Sequence, residues 1–278
     1  MPARPRLQAA CLFLLLAPGS AGGGDSPPGS TPAGARPATP VPPGWTLVFA
    51  DEFDVPGPPD PARWNHEIGY IANDEKQYYT PGTENARIEG GTLVIEARRE
   101  RRMGYDYTSA RLNTKGRAEF LYGRMEIRAK VPTGRGTWPA LWMLGANIDQ
   151  VDWPACGEID IMENVGYDPT RIHGTVHTAA YNAGTAKGAS VTVANPCEDF
   201  HVYATEWHPD RIEIFVDDRR YFTFPNEGTG SRAWPFDKPH YLILNLAIGG
   251  TWGGTKGIDD SLFPHRLVVD YVRVYQQK

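Results

Sequence analysis

The stretch 153-WPACGEIDIMENVG-166 places three carboxylates, Glu158, Asp160 and Glu163, within six residues whose other members, Ile159, Ile161 and Met162, are apolar. Side chains alternate faces along a strand, so Glu158 and Asp160 point one way and Ile159 and Ile161 the other. Strict alternation would send Glu163 into the apolar layer, which is costly for a charge. A β-bulge at Ile161-Met162 inserts one residue and returns Glu163 to the acidic face. Glu158 and Glu163 then behave as if four positions apart, with Cα atoms roughly 13 Å apart. Two Glu side chains leaning together close the carboxyl gap to about 5–6 Å, near the separation at which one carboxylate acts as nucleophile and the other as acid/base on a glycosidic bond. Aspartates at the two ends would not reach. Asp160 lies between them, and a proton or hydrogen bond shared with a neighbour pushes the neighbouring proton affinities apart. Two other uses of such a run remain open on pattern alone. One is a calcium site, for which three oxygens from one strand are a poor start. The other is a solvated strand face, which would mix acids with the Lys, Arg or Thr that are missing here.

The elements that must position these acids read as strands. Alternation runs through 92-TLVIEARR-99, 124-RMEIRAKV-131, 171-RIHGTVHT-178, 211-RIEIFVDDRRYFTF-224, 241-YLILNLAIG-249 and 267-LVVDYVRVYQ-276. The 211–224 run reads as a hairpin turning at Asp217-Asp218. No segment makes a long capped amphipathic helix, and 259-DDSLFPH-265 holds at most one turn. Many strands joined by Gly/Pro-rich turns predict an all-β antiparallel sandwich or barrel.

The 278 residues divide by composition. Residues 1–21 read as a signal peptide: Arg4 and Arg6, the apolar core 11-CLFLLLA-17, then Gly19-Ser20-Ala21 as a small-residue cleavage site. That core is too short to span a bilayer. Residues 22–44 are a Pro/Gly-rich linker, as in 26-SPPGSTPAGARPATPVPPG-44. Residues 45–278 are globular in composition and enough for one large β domain. The expectation is a secreted protein, extracellular or periplasmic, with no membrane association after signal cleavage. A net charge of −5 without a basic cluster argues against nucleic acid. Eight Trp and thirteen Tyr are many for this length; most fill a core, and the rest are candidates for stacking on sugar rings. Removing residues 1–21 leaves Cys156 and Cys197, an even pair that predicts a disulfide in an oxidising compartment. Trp138 and Trp142 are four apart on a strand, so both rings share one face, with small Ala140 between them.

The acidic run E-I-D-I-M-E after Gly157 resembles the active-site signature of glycoside hydrolase family 16, and the form with the extra Met resembles its laminarinase branch. The likeness continues through 108-TSARLNTKGRAEFLYGRMEIRAKVP-132, 138-WPALWMLG-145, 173-HGTVHT-178, 202-VYATEWHPD-210 and 244-LNLAIGGTWGG-254, covering roughly residues 45–276. The resemblance implies a β-jelly-roll sandwich of two curved antiparallel sheets whose concave face is an open cleft for a polysaccharide. It implies Glu158 as nucleophile, Glu163 as acid/base, Asp160 as the assisting acid and His177 as a cleft histidine that adjusts proton affinity.

The same resemblance puts Trp138 and Trp142 in the sugar-binding half of the cleft, Arg111 and Asn73 at positions that hydrogen-bond sugar hydroxyls, and Trp153 and Trp252 on loops as further candidates for stacking on sugar. It implies no cofactor for catalysis. It also implies a structural Ca²⁺ on the convex side, with main-chain oxygens from Glu52 and Gly91 and the side chain of Asp270, a donor set that suits Ca²⁺. The expected partner is a β-glucan substrate, and the expected state is a monomer. The implied activity is endo-β-1,3-glucanase; mixed-linkage cleavage, transglycosylation and non-catalytic glucan binding are the alternatives.

Overall fold

The structure is a computed structural model that describes Val41 and residues 43–278; the signal-peptide and most of the linker expectations lie outside the described residues. Two eight-stranded sheets form the body. Strands are numbered in chain order. The outer sheet runs β16 (Arg219–Pro225), β15 (Arg211–Val216), β14 (His201–Trp207), β9 (Gly123–Lys130), β18 (His265–Gln277), β5 (Thr92–Ala97) and β4 (Ala86–Glu89), with β1 (Trp45–Asp51) also on β18. The inner sheet runs β13 (Lys187–Thr192), β12 (Arg171–His177), β11 (Glu158–Glu163), β10 (Thr137–Gly145), β17 (His240–Ile248), β7 (Arg111–Asn113) and β2 (Asn65–His66), with β8 (Glu119–Phe120) on β17. Both sheets are antiparallel throughout; a short parallel pair, β3 (Gln77–Tyr79) and β6 (Tyr107–Ser109), stands apart.

Alternation explains why the sheets stack. On β10, Leu141 and Met143 face the inter-sheet core while Trp138, Ala140 and Trp142 face out. On β17, Leu242, Leu244, Leu246 and Ile248 go inward, leaving Asn245 and Ala247 outside. The outer sheet answers with Met125, Ile127 and Ala129 of β9, Tyr203 and Trp207 of β14, and Leu267, Val269, Val272 and Val274 of β18. Burying two such faces against each other is the main stabilising contribution of a sandwich. The β15–β16 hairpin turns at Asp217-Asp218, both with positive φ (48° and 63°), a backbone state that short Asp side chains tolerate. The 259–265 segment holds one 3-10 turn, Asp260–Leu262, started by the Asp259 side chain accepting from Ser261 N. A four-residue helix, Ile148–Val151, has no counterpart in the sequence patterns.

The disulfide expectation fails. Cys156 and Cys197 are both free thiols. Cys156 is fully buried in a small cluster with Leu144, Tyr241 and Ile243, whereas Cys197 packs against the main core with its Sγ 3.6 Å from the Pro132 carbonyl. Each sulfur acts as a small apolar group in a different cluster. Burial pushes both thiols up to about 11.

Candidate active site

The bulge on β11 is present where the burial of charge demands it. Against β10, Trp142 pairs with Asp160 but Leu141 pairs with Met162, so Ile161 is the extra residue. Against β12, Asp160 pairs with Thr175 and Glu163 with His173. Ile161 and Met162 are both fully buried in the core, and Glu158, Asp160 and Glu163 all line one cleft.

The cleft lies on the exposed face of the inner sheet and has a volume of about 770 Å³. At its floor Asp160 is only 3% exposed. His177, opposite Glu158 on β12, brings Nε2 to 3.3 Å from Asp160 Oδ2 and 3.8 Å from Glu158 Oε1. Each glutamate also receives an indole: Trp153 Nε1 donates to Glu158 Oε2 at 2.8 Å, and Trp138 Nε1 donates to Glu163 Oε1 at 3.0 Å. Burial raises the pKa of Glu158, strongly, and the charge of Asp160 adds to it, against the opposing pull of His177 and the Trp153 N–H. Asp160 is raised strongly and Glu163 is raised, again first by burial, with the Glu163 charge adding to Asp160 and the Trp138 N–H and His177 opposing at Glu163. Three buried acids this close cannot all ionise, so the group holds a proton at pH values where isolated carboxyls have lost theirs. The cluster therefore keeps a proton available for donation, shared among the three carboxyls.

The aromatic wall is built on one strand face. Trp138 and Trp142 both line the cleft with Ala140 between them. Trp252 meets Trp138 edge-on at 5.7 Å and is itself backed by His173 at 4.8 Å. Arg111 lies over Trp142 at 4.8 Å and pairs through Nε with Glu67 Oε2 at 2.9 Å. Asn73 lies on the cleft rim in a loop where it and Asp74 both adopt positive φ (61° and 56°), which favours Asn and Asp. All six sugar-binding candidates, Trp138, Trp142, Arg111, Asn73, Trp153 and Trp252, line this one cleft, as do the three acids and His177.

Sequence reasoning missed what holds the wall. Trp142 Nε1 donates to Asn245 Oδ1 at 2.8 Å, Asn245 Nδ2 donates to the Tyr79 hydroxyl at 3.1 Å, and Tyr79 donates to Glu75 Oε2 at 3.1 Å. Gln77 Nε2 and Asn73 Nδ2 donate to Glu75 as well, at 2.6 and 3.4 Å. The signal was available: Asn245 is a polar residue inside 241-YLILNLAIG-249, the same anomaly that marks the acidic strand.

Among the described residues, two groups of side chains have metal-ligand types at close range. Glu158, Asp160 and His177 offer atoms within 4.8 Å of one another, as do Glu206, His208 and Glu213 on the outer sheet. In the second group Arg124 already binds Glu206, and Arg211 and Arg220 bind Glu213. The calcium positions are brought to one place by strand register. β1 ends at Asp51 opposite Val272, β5 begins at Thr92 just before Leu93 pairs with Val269, and β18 bulges between Val269 and Tyr271. Glu52, Gly91 and Asp270 fall at that junction. Arg128 donates to Asp270 Oδ2 at 2.6 Å, and Arg273 donates to both Glu52 carboxylate oxygens.

An antiparallel sheet carrying paired glutamates in a tryptophan-walled cleft defines a glycoside hydrolase. The chain belongs to the glycosyl hydrolases family 16, whose model matches residues 73–273. It is 54% identical over 246 residues to a beta-glucanase of Rhodothermus marinus, covering 84% of this chain and 86% of that protein. The structure matches that of the laminarinase from Rhodothermus marinus with a TM-score of 0.82 at 54% identity, covering 84% of this chain and 98% of the other. It matches SCLam, a non-specific endo-beta-1,3(4)-glucanase of the same family, with a TM-score of 0.82 at 48% identity, covering 86% and 94% of the two chains. The jelly-roll expectation and the enzyme class both stand.

Proposed function

We propose that this chain is a secreted, retaining endo-β-1,3-glucanase that cuts internal bonds of laminarin-type glucans. The observation that carries the reading is the bulged strand β11, which turns Glu158 and Glu163 into one cleft and gives each an indole N–H. In the first step Glu158 attacks the anomeric carbon while Glu163 donates its proton to the departing glycosidic oxygen. A glycosyl-enzyme forms. Glu163, now a base, takes a proton from water; the water oxygen attacks the anomeric carbon, and Glu158 departs as a carboxylate. His177 stands beside Glu158 and Asp160, close enough to orient both carboxyls. An open cleft admits the middle of a chain, so the products are oligosaccharides of mixed length.

The likeness to the laminarinase from Rhodothermus marinus supports laminarin-type β-1,3-glucan as substrate, and the likeness to SCLam, a non-specific endo-beta-1,3(4)-glucanase, supports mixed-linkage β-glucan as the second reading. Incubation with laminarin, mixed-linkage β-glucan and cellulose, followed by a reducing-sugar assay, separates them. Laminarin is expected to lead, and cellulose turnover at a similar rate would refute the assignment. NMR of early products should show the β-anomer first; α-anomers would refute retention. The reading includes a monomer acting outside the cytoplasm after loss of residues 1–21. It also includes a Ca²⁺ at the Glu52–Gly91–Asp270 junction, where one buried carboxylate and main-chain oxygens match the ion's preferences, with a role in stability alone.

A further inference from the structure

Beyond the cleft, three tyrosines gather on its rim. Tyr70 and Tyr105 stack with centroids 6.1 Å apart and planes 15° from parallel, and Tyr78 leans on Tyr105 at 5.7 Å. They are not core residues. Tyr70 is 43% exposed and Ile68, two residues before it, 56%, while Tyr78 and Tyr105 are partly exposed. Gathered exposed apolar side chains of this kind mark binding surfaces.

The position says what binds. The rim loop is fastened at both ends: Gly69 exchanges backbone hydrogen bonds with Tyr79 of β3, and Asn73 O accepts from Thr251 N at 2.8 Å. Between these fastenings Ile71, Ala72 and Asn73 line the cleft. The Tyr70 side chain folds back along the same loop, its hydroxyl accepting from Asp74 N at 3.1 Å. One short loop thus forms cleft wall with three residues and carries an aromatic ring that reaches to the residue after Asn73. A polysaccharide longer than the cleft must leave it over its rim.

We propose that Tyr70, Tyr78 and Tyr105 form an outer sugar-binding platform that takes glucosyl units of a β-linked glucan chain leaving the cleft past Asn73. The recognising chemistry is ring against ring: the C–H face of a pyranose lies on an aromatic face that is already held by its neighbours, so little side-chain entropy is lost on binding. This rests on the glucanase reading and extends it to chain-length preference.

The test measures binding without turnover in a Glu158→Gln parent, using laminarin in affinity electrophoresis and a β-1,3-linked trisaccharide in calorimetry. Adding Tyr105→Ala should weaken laminarin binding about three- to tenfold, the range for losing one aromatic contact, and lower the ratio of polymer to trisaccharide affinity. Tyr105→Phe keeps the ring and should bind as the parent does. Tyr70→Ala, at a different point of the loop, should repeat the Tyr105→Ala result. Equal weakening for polymer and trisaccharide, or Phe as weak as Ala, would overturn the platform. So would a concentration-dependent dimer of the parent that Tyr105→Ala abolishes while laminarin affinity holds, since the patch would then serve a second copy of the chain. Failure of wild type to hydrolyse laminarin and of the parent to bind it would overturn the glucanase reading and the platform with it. Laminarin hydrolysis by wild type with no effect of either Ala variant would sink the platform alone.

Discussion

The hydrogen bond from Trp153 to Glu158 makes a quantitative demand on the pH profile. The sequence suggested a sugar-stacking role for Trp153, yet in the structure its Nε1 sits 2.8 Å from Glu158 Oε2 and its ring leans on His177 at 6.0 Å. Trp153→Phe removes the N–H and keeps most of the ring. A hydrogen bond to a charged group is worth ~1.5–3 kcal/mol, but with Trp153 46% exposed, water replaces part of it, which leaves about 1 kcal/mol. At 1.36 kcal/mol per pH unit this is a shift of about 0.7 units. The sign follows from which form the bond favours. The N–H stabilises ionised Glu158, so its loss raises the pKa at which the nucleophile gains a proton, and the acid limb of kcat/KM moves to higher pH. The groups facing Glu158 are Asp160 and Glu163 on its own strand and His177 from β12; the limb belongs to this cluster, and all of these groups remain in the variant. The assay is reducing-sugar release from laminarin at fixed intervals of pH, with KM fitted separately. On the plateau kcat should fall less than about tenfold. An unmoved acid limb together with a raised KM would refute the reasoning and return Trp153 to a pure stacking role.

Four further outcomes are expected. Asn245→Leu leaves the Trp142 indole N–H without its acceptor and takes one donor from the Tyr79 hydroxyl, so KM for laminarin should rise about five- to tenfold with little change in kcat, a loss of about 1 kcal/mol; a purely lowered kcat would contradict it. Asp160→Asn should inactivate the enzyme but stabilise the fold near neutral pH by roughly 0.5–2 kcal/mol, read as a melting shift of a few degrees. A carboxyl whose folded pKa is raised contributes stability below its unfolded value and loses it as pH rises towards the folded one, so the variant's advantage should vanish in acid; a constant advantage at all pH would count against it. Deleting Ile161 alone removes the bulge and leaves strict alternation, with Glu158, Asp160 and Glu163 on the cleft face and Ile159 and Met162 in the core, so the variant should fold and keep measurable laminarin hydrolysis, whereas deleting Met162 and Ile161 together should turn Glu163 into the core and abolish it; an inactive, unfolded single deletion would contradict the bulge assignment. Thiol titration in denaturant without reductant should find both Cys156 and Cys197 reactive in a chain starting at residue 22.

The strands could be read because a half-buried strand must alternate, and along β12 Ile172, Gly174 and Val176 are buried while Arg171, His173, Thr175 and His177 between them are not. The parallel pair β3–β6 could not: three residues each leave no period to detect, and the pairing is set by contacts across the chain. The cysteine expectation rested on an even count, which carries no information about distance, and each sulfur was drawn into its own apolar cluster. The same limit applied to the indoles. Spacing placed Trp138 and Trp142 on one face, but nothing local indicates that Trp138 would donate to Glu163 while Trp142 donates to Asn245.

The bulge shows why the catalytic strand was the most legible part of the molecule. Two demands conflict in E-I-D-I-M-E: Ile159, Ile161 and Met162 belong in the core, and three acids do not. A regular strand satisfies only one of these demands, since period two would place Glu163 beside the isoleucines. Inserting one residue lets Ile161 and Met162 both go inward and Glu158, Asp160 and Glu163 all face the cleft, at the expense of one local break in the ladder on each side. The irregularity was therefore deducible from charge burial before any pairing was known. It also explains why the residue types are so constrained: with the two ends of the run four effective positions apart, only the longer acid reaches inward from both, and the shorter one fits between them against His177. A sequence conflict that a regular element cannot resolve is where the backbone departs from regularity, and in this chain that departure builds the site.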